Sequence, residues 1–284
     1  MGMAEQTVER RQLGLALARL RDEAGKSQLE AGRAINRSAG RISQVEHGKG
    51  TLAEDELIRL LDFYDVRGEE RRTILALGTA SRKRVKPRGY LDVLPQPFQR
   101  LAELQAAAEV INWYECGVLP GLLQSPNYIR ALLGSADSIF WEASAEETGQ
   151  RIDFRLGQQR KVLESTSAKA INLVFTEDSL QHVVGGPSVM RGQVLHLLQM
   201  MEEHPALDVR VVPNGVPDNP ALGGGLVVLD FVDGTPVAFV STLYGPYTYY
   251  HQPADTEPMR RIFKRVHELA LNADDTRSLL VGML

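Results

Sequence analysis

The chain has 284 residues, of which 43% are hydrophobic and 24% are charged, a composition typical of a globular protein long enough for two domains. No apolar run approaches the ~20 residues that a bilayer span needs, and the first residues lack the apolar core of a secretion signal, so we expect a cytoplasmic protein. A single cysteine, Cys116, excludes an internal disulfide and a metal site built from several cysteines.

Charge is distributed unevenly along the chain, although the whole carries only −4. Residues 1–90 contain 18 Lys and Arg against 13 Asp and Glu, whereas residues 91–284 contain 14 against 23. This asymmetry indicates a small basic module joined to a larger acidic body. Because a basic surface attracts the phosphate backbone, the first 90 residues are the part predicted to meet nucleic acid.

Three helices are predicted at the start of the chain. The first runs from Glu9 to Ala24, with apolar residues at helical spacing. The second opens with a capping box formed by Ser27 and Glu30, and Ser38 can cap a third.

Two more helices follow. A second capping box, Thr51-x-x-Glu54, predicts the start of the fourth helix, and a fifth helical pattern extends from about Glu69 to Ala80. We therefore predict an all-α N-terminal domain of five helices over residues 1–81. The basic run that follows predicts a linker over residues 82–94.

The break between the second and third helices is the most informative spacing. Asn36 tolerates the left-handed backbone of a tight turn. Ile42 and Val45, three residues apart, give the third helix one inner face, which leaves Ser43 and Gln44 on its outer face. Two short helices joined in this way and packed on a preceding helix are typical of a helix-turn-helix, whose second helix enters the major groove of DNA.

Residues 10–65 closely resemble the bacteriophage-repressor-like (XRE) helix-turn-helix family, through Ser27-Gln28, Asn36-x-Ser38 and Ile42-Ser43-x-Val45-Glu46-x-Gly48. The resemblance implies that eight residues contact double-stranded DNA: Gln28, Arg37, Ser38, Ala39, Arg41, Ser43, Gln44 and Lys49. Phosphate contacts are implied for Gln28 and Lys49, and phosphate or guanine contacts for Arg37 and Arg41. The other four would face bases, and Gln44 can pair bidentately with adenine. Glu46 is expected to pair with Arg21 of the first helix as a structural feature.

The sequence departs from the family at three positions. Ala31 and Gly32 stand where leucine and alanine are usual, and Asn36 stands where glycine is usual. Gly32 is expected to cost the second helix about 1 kcal/mol. The alternative to DNA binding is that these helices form a structural bundle or a protein-binding module.

Beyond residue 95 helical and strand patterns alternate, which predicts a larger α+β domain over residues 95–284. Largely buried strands are predicted at "EVINWYE", "AINLVF", "DVRVVP", "GLVVLDF" and "PVAFVS". Helices are predicted at "PFQRLAELQAAA", "SPNYIRALL", "SAEETGQRIDFRLGQQRKVLE", "PSVMRGQVLHLLQMMEEH" and "EPMRRIFKRVHELAL".

No catalytic motif has adequate spacing in this domain, so we expect neither an enzyme nor a cofactor or metal site. The histidines are scattered without close ligand pairs. Glu177 and Asp178 fit the acidic start of a helix, and Cys116 fits an inert packed thiol.

Six aromatic residues are candidates for a partner or ligand surface: Trp113, Tyr114, Tyr244, Tyr247, Tyr249 and Tyr250. Tyrosine combines apolar area with a polar tip, which suits interfaces. Packing in the core or on a strand is the alternative interpretation.

The run V-L-P-G-L-L-Q-S-x-x-Y-x-R-A-L, over residues 118–132, resembles the C-terminal domain of actinobacterial WhiJ-like, antitoxin-like regulators. The runs "RLGQQRKVL", "VRVVPNGV" and "STLYGPYTYY" agree with this resemblance. It implies a transcription factor whose C-terminal domain senses or binds something, with a small protein encoded by a neighbouring gene as the implied partner.

The function predicted from the sequence is that of a sequence-specific transcriptional regulator, acting as a homodimer on a two-fold operator. Two alternatives stay open. One is an antitoxin-like module that neutralises a small partner and binds DNA for autoregulation. The other is a small-molecule sensor or enzyme in the α+β domain.

Overall fold

The structure is a computed structural model that describes residues 6–83, 89–136, 144–165, 169–240 and 247–284. The contacts within it divide the chain into two compact units. The first unit comprises Met1–Ala107 and Phe231–Thr256, and the second comprises Ala108–Asp230 and Glu257–Leu284.

The helices and strands alternate after an all-helical start. In chain order the helices are α1 (Val8–Glu23), α2 (Gln28–Ala34), α3 (Ala39–Glu46), α4 (Glu54–Phe63), α5 (Gly68–Arg82), α6 (Pro97–Ala107), α7 (Pro126–Ala136), α8 (Ala145–Leu163), α9 (Asp178–Gln181), α10 (Pro187–Glu203), α11 (Pro253–Leu269) and α12 (Ala273–Gly282). The strands are β1 (Tyr90–Asp92), β2 (Val110–Glu115), β3 (Ala170–Thr176), β4 (Leu207–Val212), β5 (Leu226–Asp230), β6 (Val237–Val240) and β7 (Tyr247–Tyr250). The predicted fold class, an all-α N-terminal domain of five helices followed by a larger α+β domain, is confirmed.

The caps of the first helices follow from short-range signals in the sequence. Ser27 forms the predicted capping box with Glu30, and the Ser38 hydroxyl accepts a hydrogen bond from the Arg41 backbone N–H at 3.2 Å. The predicted box at Thr51 is wrong. Helix α4 begins two residues later, where the backbone N–H of Ala53 donates to the Glu56 carboxylate at 2.9 Å.

The core of the helical region is built from the inner faces of α1 to α5 and the turns between them. Its buried side chains, which include Ile42 and Val45 as predicted for the third helix, are Leu13, Ala16, Leu17, Leu20, Ala31, Ile35, Ile42, Val45, Leu52, Leu57, Leu60, Leu61, Tyr64, Val66, Ile74 and Leu77. Burial of these apolar side chains is the main favourable term in the folding of this region.

The first unit extends beyond the five helices. Strand β1, inside the segment predicted as a linker, pairs antiparallel with β7, which also pairs antiparallel with β6. Helix α6 is joined to α1 by an ion pair of 2.7 Å between Arg19 and Glu103, and to β1 by a buried pair between Arg100 and Asp92. Residues 84–88 of the predicted linker lie outside the described residues.

The second unit contains four strands in the order β5-β2-β3-β4. Strands β2, β3 and β4 run parallel, and β5 is antiparallel to β2. The outer edge of β4 is covered, because the Leu271 backbone donates to the Val211 carbonyl at 2.8 Å and the Thr276 hydroxyl accepts from the Val211 N–H at 3.3 Å. Within the described ranges, no helix combines the length and apolar character needed to cross a bilayer.

Helix α1 crosses α3 at Gly14, where the two backbones come unusually close. A Cβ atom at Gly14 would lie 2.5 Å from the Val45 carbonyl oxygen, a distance that real Cβ contacts essentially never show. Glycine therefore sets the distance between α1 and the helix that carries Ser43 and Gln44.

We predict that Gly14→Ala lowers the free energy of unfolding by about 1–3 kcal/mol, because the added methyl group overpacks this crossing. Thermal and urea unfolding measure the change. Gly40→Ala is the matched control, since a Cβ at Gly40 meets its nearest neighbour, the Ser38 hydroxyl, only at 3.9 Å. Equal stability of the Gly14→Ala protein and the wild type would contradict the close crossing.

Candidate nucleic-acid interface

Helix α3 has one buried and one exposed face, as its spacing predicts. Ile42 and Val45 are each 1% exposed and lie in the helical core. Gly40 and Gln44 are exposed, and Ser43 is half-buried between the two faces. Small or polar residues therefore line the outer edge of α3.

The turn before α3 depends on two residues that depart from the XRE pattern. Asn36 adopts the left-handed backbone with φ of +58°. A Cβ atom at Gly32 would lie 2.6 Å from the Arg37 carbonyl oxygen. Gly32 lowers the helix propensity of α2. It is nevertheless needed there, because the turn folds back against this position and leaves no room for a side chain.

A buried carboxylate joins α3 to α1 and α2. Glu46 accepts hydrogen bonds from Arg21 at 2.6 and 3.2 Å and from the Gln28 side-chain amide at 2.7 Å. The predicted pair of Arg21 and Glu46 is confirmed, and hydrogen bonding to Glu46 raises the pKa of Arg21. Gln28, for which a phosphate contact was predicted, is thus held at the start of α2 by the same carboxylate.

The three predicted cationic contacts are each anchored inside the first unit. Arg37 donates to Glu56 at 2.6 Å and keeps 53% of its side chain exposed. Arg41 donates to the Thr51 carbonyl, within the segment between α3 and α4. Lys49 pairs with Asp233 at 2.9 Å. The bonds of Arg37 and Arg41 pre-order long side chains that would otherwise lose rotamer freedom on binding.

The structure brings the predicted DNA-contacting residues together on α2, α3 and the adjoining turns. The Ser38 hydroxyl is occupied as the cap of α3, and Ala39 begins the helix. Arg82, the first residue of the predicted linker, is the last residue of α5, and it donates to the Leu52 carbonyl at 3.3 Å.

Sequence reasoning missed the segment Phe231–Thr235, which lies against the helix-turn-helix. Arg11 donates to the Asp233 carbonyl at 3.2 Å, and the Thr235 hydroxyl donates to the Gln6 carbonyl at 2.9 Å. More than 220 positions separate these partners along the chain, so no local pattern marks them.

In the second unit, buried glutamines hold the V-L-P-G-L-L-Q-S run. Gln193 accepts from the Ser125 N–H and donates to the Leu123 carbonyl, both at 2.7 Å. Gln159 donates to the carbonyls of Gly121 and Gln124, both at 2.8 Å. The run is an irregular buried segment whose backbone groups need such partners, so its pattern reflects folding of the domain.

The aromatic candidates lie mostly in packed positions. Trp113 is 7% exposed, and the buried Tyr114 hydroxyl accepts from Asn219 at 3.1 Å. Tyr249 is buried, and Tyr247 packs edge-on against Phe98 and Phe239. Tyr250 is half-buried, and Tyr244 lies outside the described residues. The described rings thus correspond to the alternative interpretation, packing in the core or on a strand.

Glu115, at the end of β2, is an ionisable group of the second unit with an unusual environment. Its carboxylate accepts from the Trp113 ring N–H at 2.8 Å, and burial raises the pKa of Glu115 to about 7. Burial also raises the pKa of the neighbouring Cys116 thiol, which disfavours its nucleophilic form. No group of three or more metal-ligating side chains was found in the part of the chain that the structure describes.

These features define a helix-turn-helix protein with an additional mixed domain. Residues 12–74 match a family model described as a helix-turn-helix domain, and residues 98–281 match one described as a domain of unknown function (DUF5753). Because the second match covers more than half of the chain, the protein belongs to the DUF5753 family. A search of curated proteins found no match.

We predict that the stability of the second unit falls as the pH rises from about 4.5 to about 7, because the folded state holds the Glu115 proton more tightly than the unfolded chain does. Glu115→Gln removes the charge and keeps an oxygen for Trp113. Its melting temperature is therefore expected to exceed that of the wild type at pH 8 and to approach it at pH 5.

Thermal unfolding at the two pH values measures this difference. Glu109→Gln, at an exposed position just before the same strand, is the control for loss of a surface charge. A Glu115→Gln protein with the same melting-temperature difference at both pH values would contradict the prediction.

Proposed function

We propose that the protein is a sequence-specific DNA-binding transcriptional regulator of the XRE type. The observation that carries the proposal is the outer edge of α3, where Gln44 is exposed while Ile42 and Val45 are buried. In a helix-turn-helix this edge is the one that enters the major groove.

Base reading is assigned to the exposed part of α3. The Gln44 amide can pair bidentately with N6 and N7 of adenine, and the Ala39 methyl can pack on a thymine methyl. Gly40 has no side chain, which lets the start of the helix approach the floor of the groove. Ser43, beside Gln44, is a second candidate for a base edge.

Phosphate binding is assigned to residues that flank this edge. Arg37 is anchored by Glu56 through its Nε atom, which leaves the exposed remainder of the guanidinium available to a phosphate oxygen. Lys49 follows α3, and Gln28 opens α2, whose positive N-terminal end favours an anion. The +5 balance of residues 1–90 supports this assignment.

A single subunit reads only a few base pairs, so the proposal includes a homodimer on a two-fold operator. We place the regulator in the cytoplasm and assign no catalysis to it. Binding of a small protein encoded by a neighbouring gene rests on the resemblance to WhiJ-like, antitoxin-like actinobacterial regulators alone, and it stays a prediction.

We predict that Gln44→Ala weakens binding to the preferred operator by about 1–3 kcal/mol and relaxes specificity at one base pair, because it removes a bidentate contact. Binding titrations on the operator and on its single-base variants, at one salt concentration, measure both effects.

Gln199→Ala, at an exposed position of α10, is the matched control and is expected to leave affinity and specificity unchanged. Unchanged operator selectivity in the Gln44→Ala protein would remove Gln44 from the reading edge. A wild type that binds operator and scrambled duplex equally would contradict the proposed function as a whole.

The proposed dimer predicts half-sites whose centres lie about 34 Å apart, one turn of the duplex, or a multiple of that distance. Insertion of about five base pairs between them turns one half-site to the opposite face and is expected to abolish two-subunit binding, whereas about ten base pairs restores the phase. Titrations combined with sedimentation of the complex measure the effect. Equal binding at both spacings would contradict a rigid dimer.

A further inference from the structure

The segment Phe231–Thr235, which we name the clamp loop, is fixed against the helix-turn-helix by several independent contacts. The Arg11 guanidinium lies 3.7 Å from the centre of the Phe231 ring. The same group donates to the carbonyls of Asp233 at 3.2 Å and Thr235 at 3.5 Å. Burial lowers the pKa of Arg11 to about 10, as is expected for a cation enclosed by the loop.

Glycine gives the clamp loop its close fit. Gly234 has φ of +101°, and a Cβ atom there would lie 2.9 Å from Arg11 Nη2. On the other side, Gln6 donates to the His47 carbonyl, next to the end of α3, while Thr235 donates to the Gln6 carbonyl. The loop is therefore positioned by Arg11 of α1 and by Gln6 just before it, independently of the side chain of Asp233.

That position places the Asp233 carboxylate on Lys49. The Lys49 ammonium lies 2.9 Å from Asp233 Oδ2, with 40% and 65% of the two side chains exposed. Lys49 also lowers the pKa of Asp233, so the carboxylate is charged at neutral pH. Lys49 is one of the residues assigned to DNA phosphate, and a carboxylate oxygen offers it the same interaction as a phosphate oxygen.

We propose that Asp233 acts as an internal substitute for a DNA phosphate, which occupies Lys49 in the free protein and must be displaced when duplex binds. This proposal rests on the proposed DNA-binding function. An exposed ion pair is weak, so phosphate can replace the carboxylate reversibly. The clamp loop thereby lowers affinity for all duplexes and leaves base reading by Gln44 unaffected, since phosphate contacts carry no sequence information.

The test is Asp233→Asn in the full-length chain, titrated with operator duplex and with scrambled duplex of the same length at ~0.1 M salt. We expect about two- to fivefold tighter binding to both duplexes, which is the range an exposed ion pair can supply. Lys49→Met is expected to weaken binding to both. In the Lys49→Met background, Asp233→Asn is expected to bring no gain.

The matched control is Asp65→Asn, which removes one exposed carboxylate that pairs with Arg67 at 2.7 Å in the same unit. Asn tolerates the left-handed backbone of position 65, where φ is +56°. The control is expected to leave affinity unchanged. Two results would overturn the proposal: an equal gain in duplex affinity from Asp65→Asn, or a gain from Asp233→Asn that persists in the Lys49→Met background. Either would show that the gain comes from the change in net charge and not from release of Lys49.

Two further outcomes also decide the matter. Weaker binding by Asp233→Asn would show that the clamp loop supports α3 for binding, which overturns competition but leaves the DNA-binding function in place. A wild type without preference for any operator, together with a Gln44→Ala protein that behaves identically, would overturn the proposed function and this inference with it.

Discussion

The carboxylate of Glu46 joins three helices at one point, and the orientation of α3 depends on it. The carboxylate accepts hydrogen bonds from Arg21 of α1 and from Gln28 of α2, and Glu46 is itself the last residue of α3. Removing a carboxylate and a guanidinium from water is costly. The cost is offset because the pair has bidentate geometry and Gln28 satisfies a further acceptor site. The outer edge of α3, with Gln44, projects from the core in the direction that this junction fixes.

Patterns confined to a few neighbouring residues correctly predicted the local structure of the first three helices. The Ser27 capping box, the left-handed Asn36 and the buried pair of Ile42 and Val45 were all recovered, because each depends on contacts within one or two turns. The start of α4 was missed since Thr51 and Ala53 both precede a glutamate by three residues. Of the two possible starts, only Thr51 has a side chain that can cap a helix, so the sequence favours it over Ala53.

Features that depend on distant residues could not be predicted. Strands β1 and β7 are too short to show a periodic pattern of their own. They pair with each other across more than 150 positions, so no local signal marks the pairing. The clamp loop reads as an ordinary turn until its contact with Arg11 is known. The V-L-P-G-L-L-Q-S run carries a family resemblance in the sequence, but only the structure shows that Gln193 and Gln159 complete its backbone hydrogen bonds.

The close backbone crossing at Gly14 limits how the proposed DNA-reading helix can change during evolution. Helix α3 cannot slide or tilt by small steps, because its own carbonyl oxygens at Val45 and Glu46 lie directly against Gly14 of α1 and leave no room for intermediate positions. For the proposed function, new target sequences would therefore arise most readily by exchange of side chains along the exposed edge of α3, while its contact with α1 stays constant. Variation among descendants would then be concentrated at a handful of surface sites on an unchanging frame.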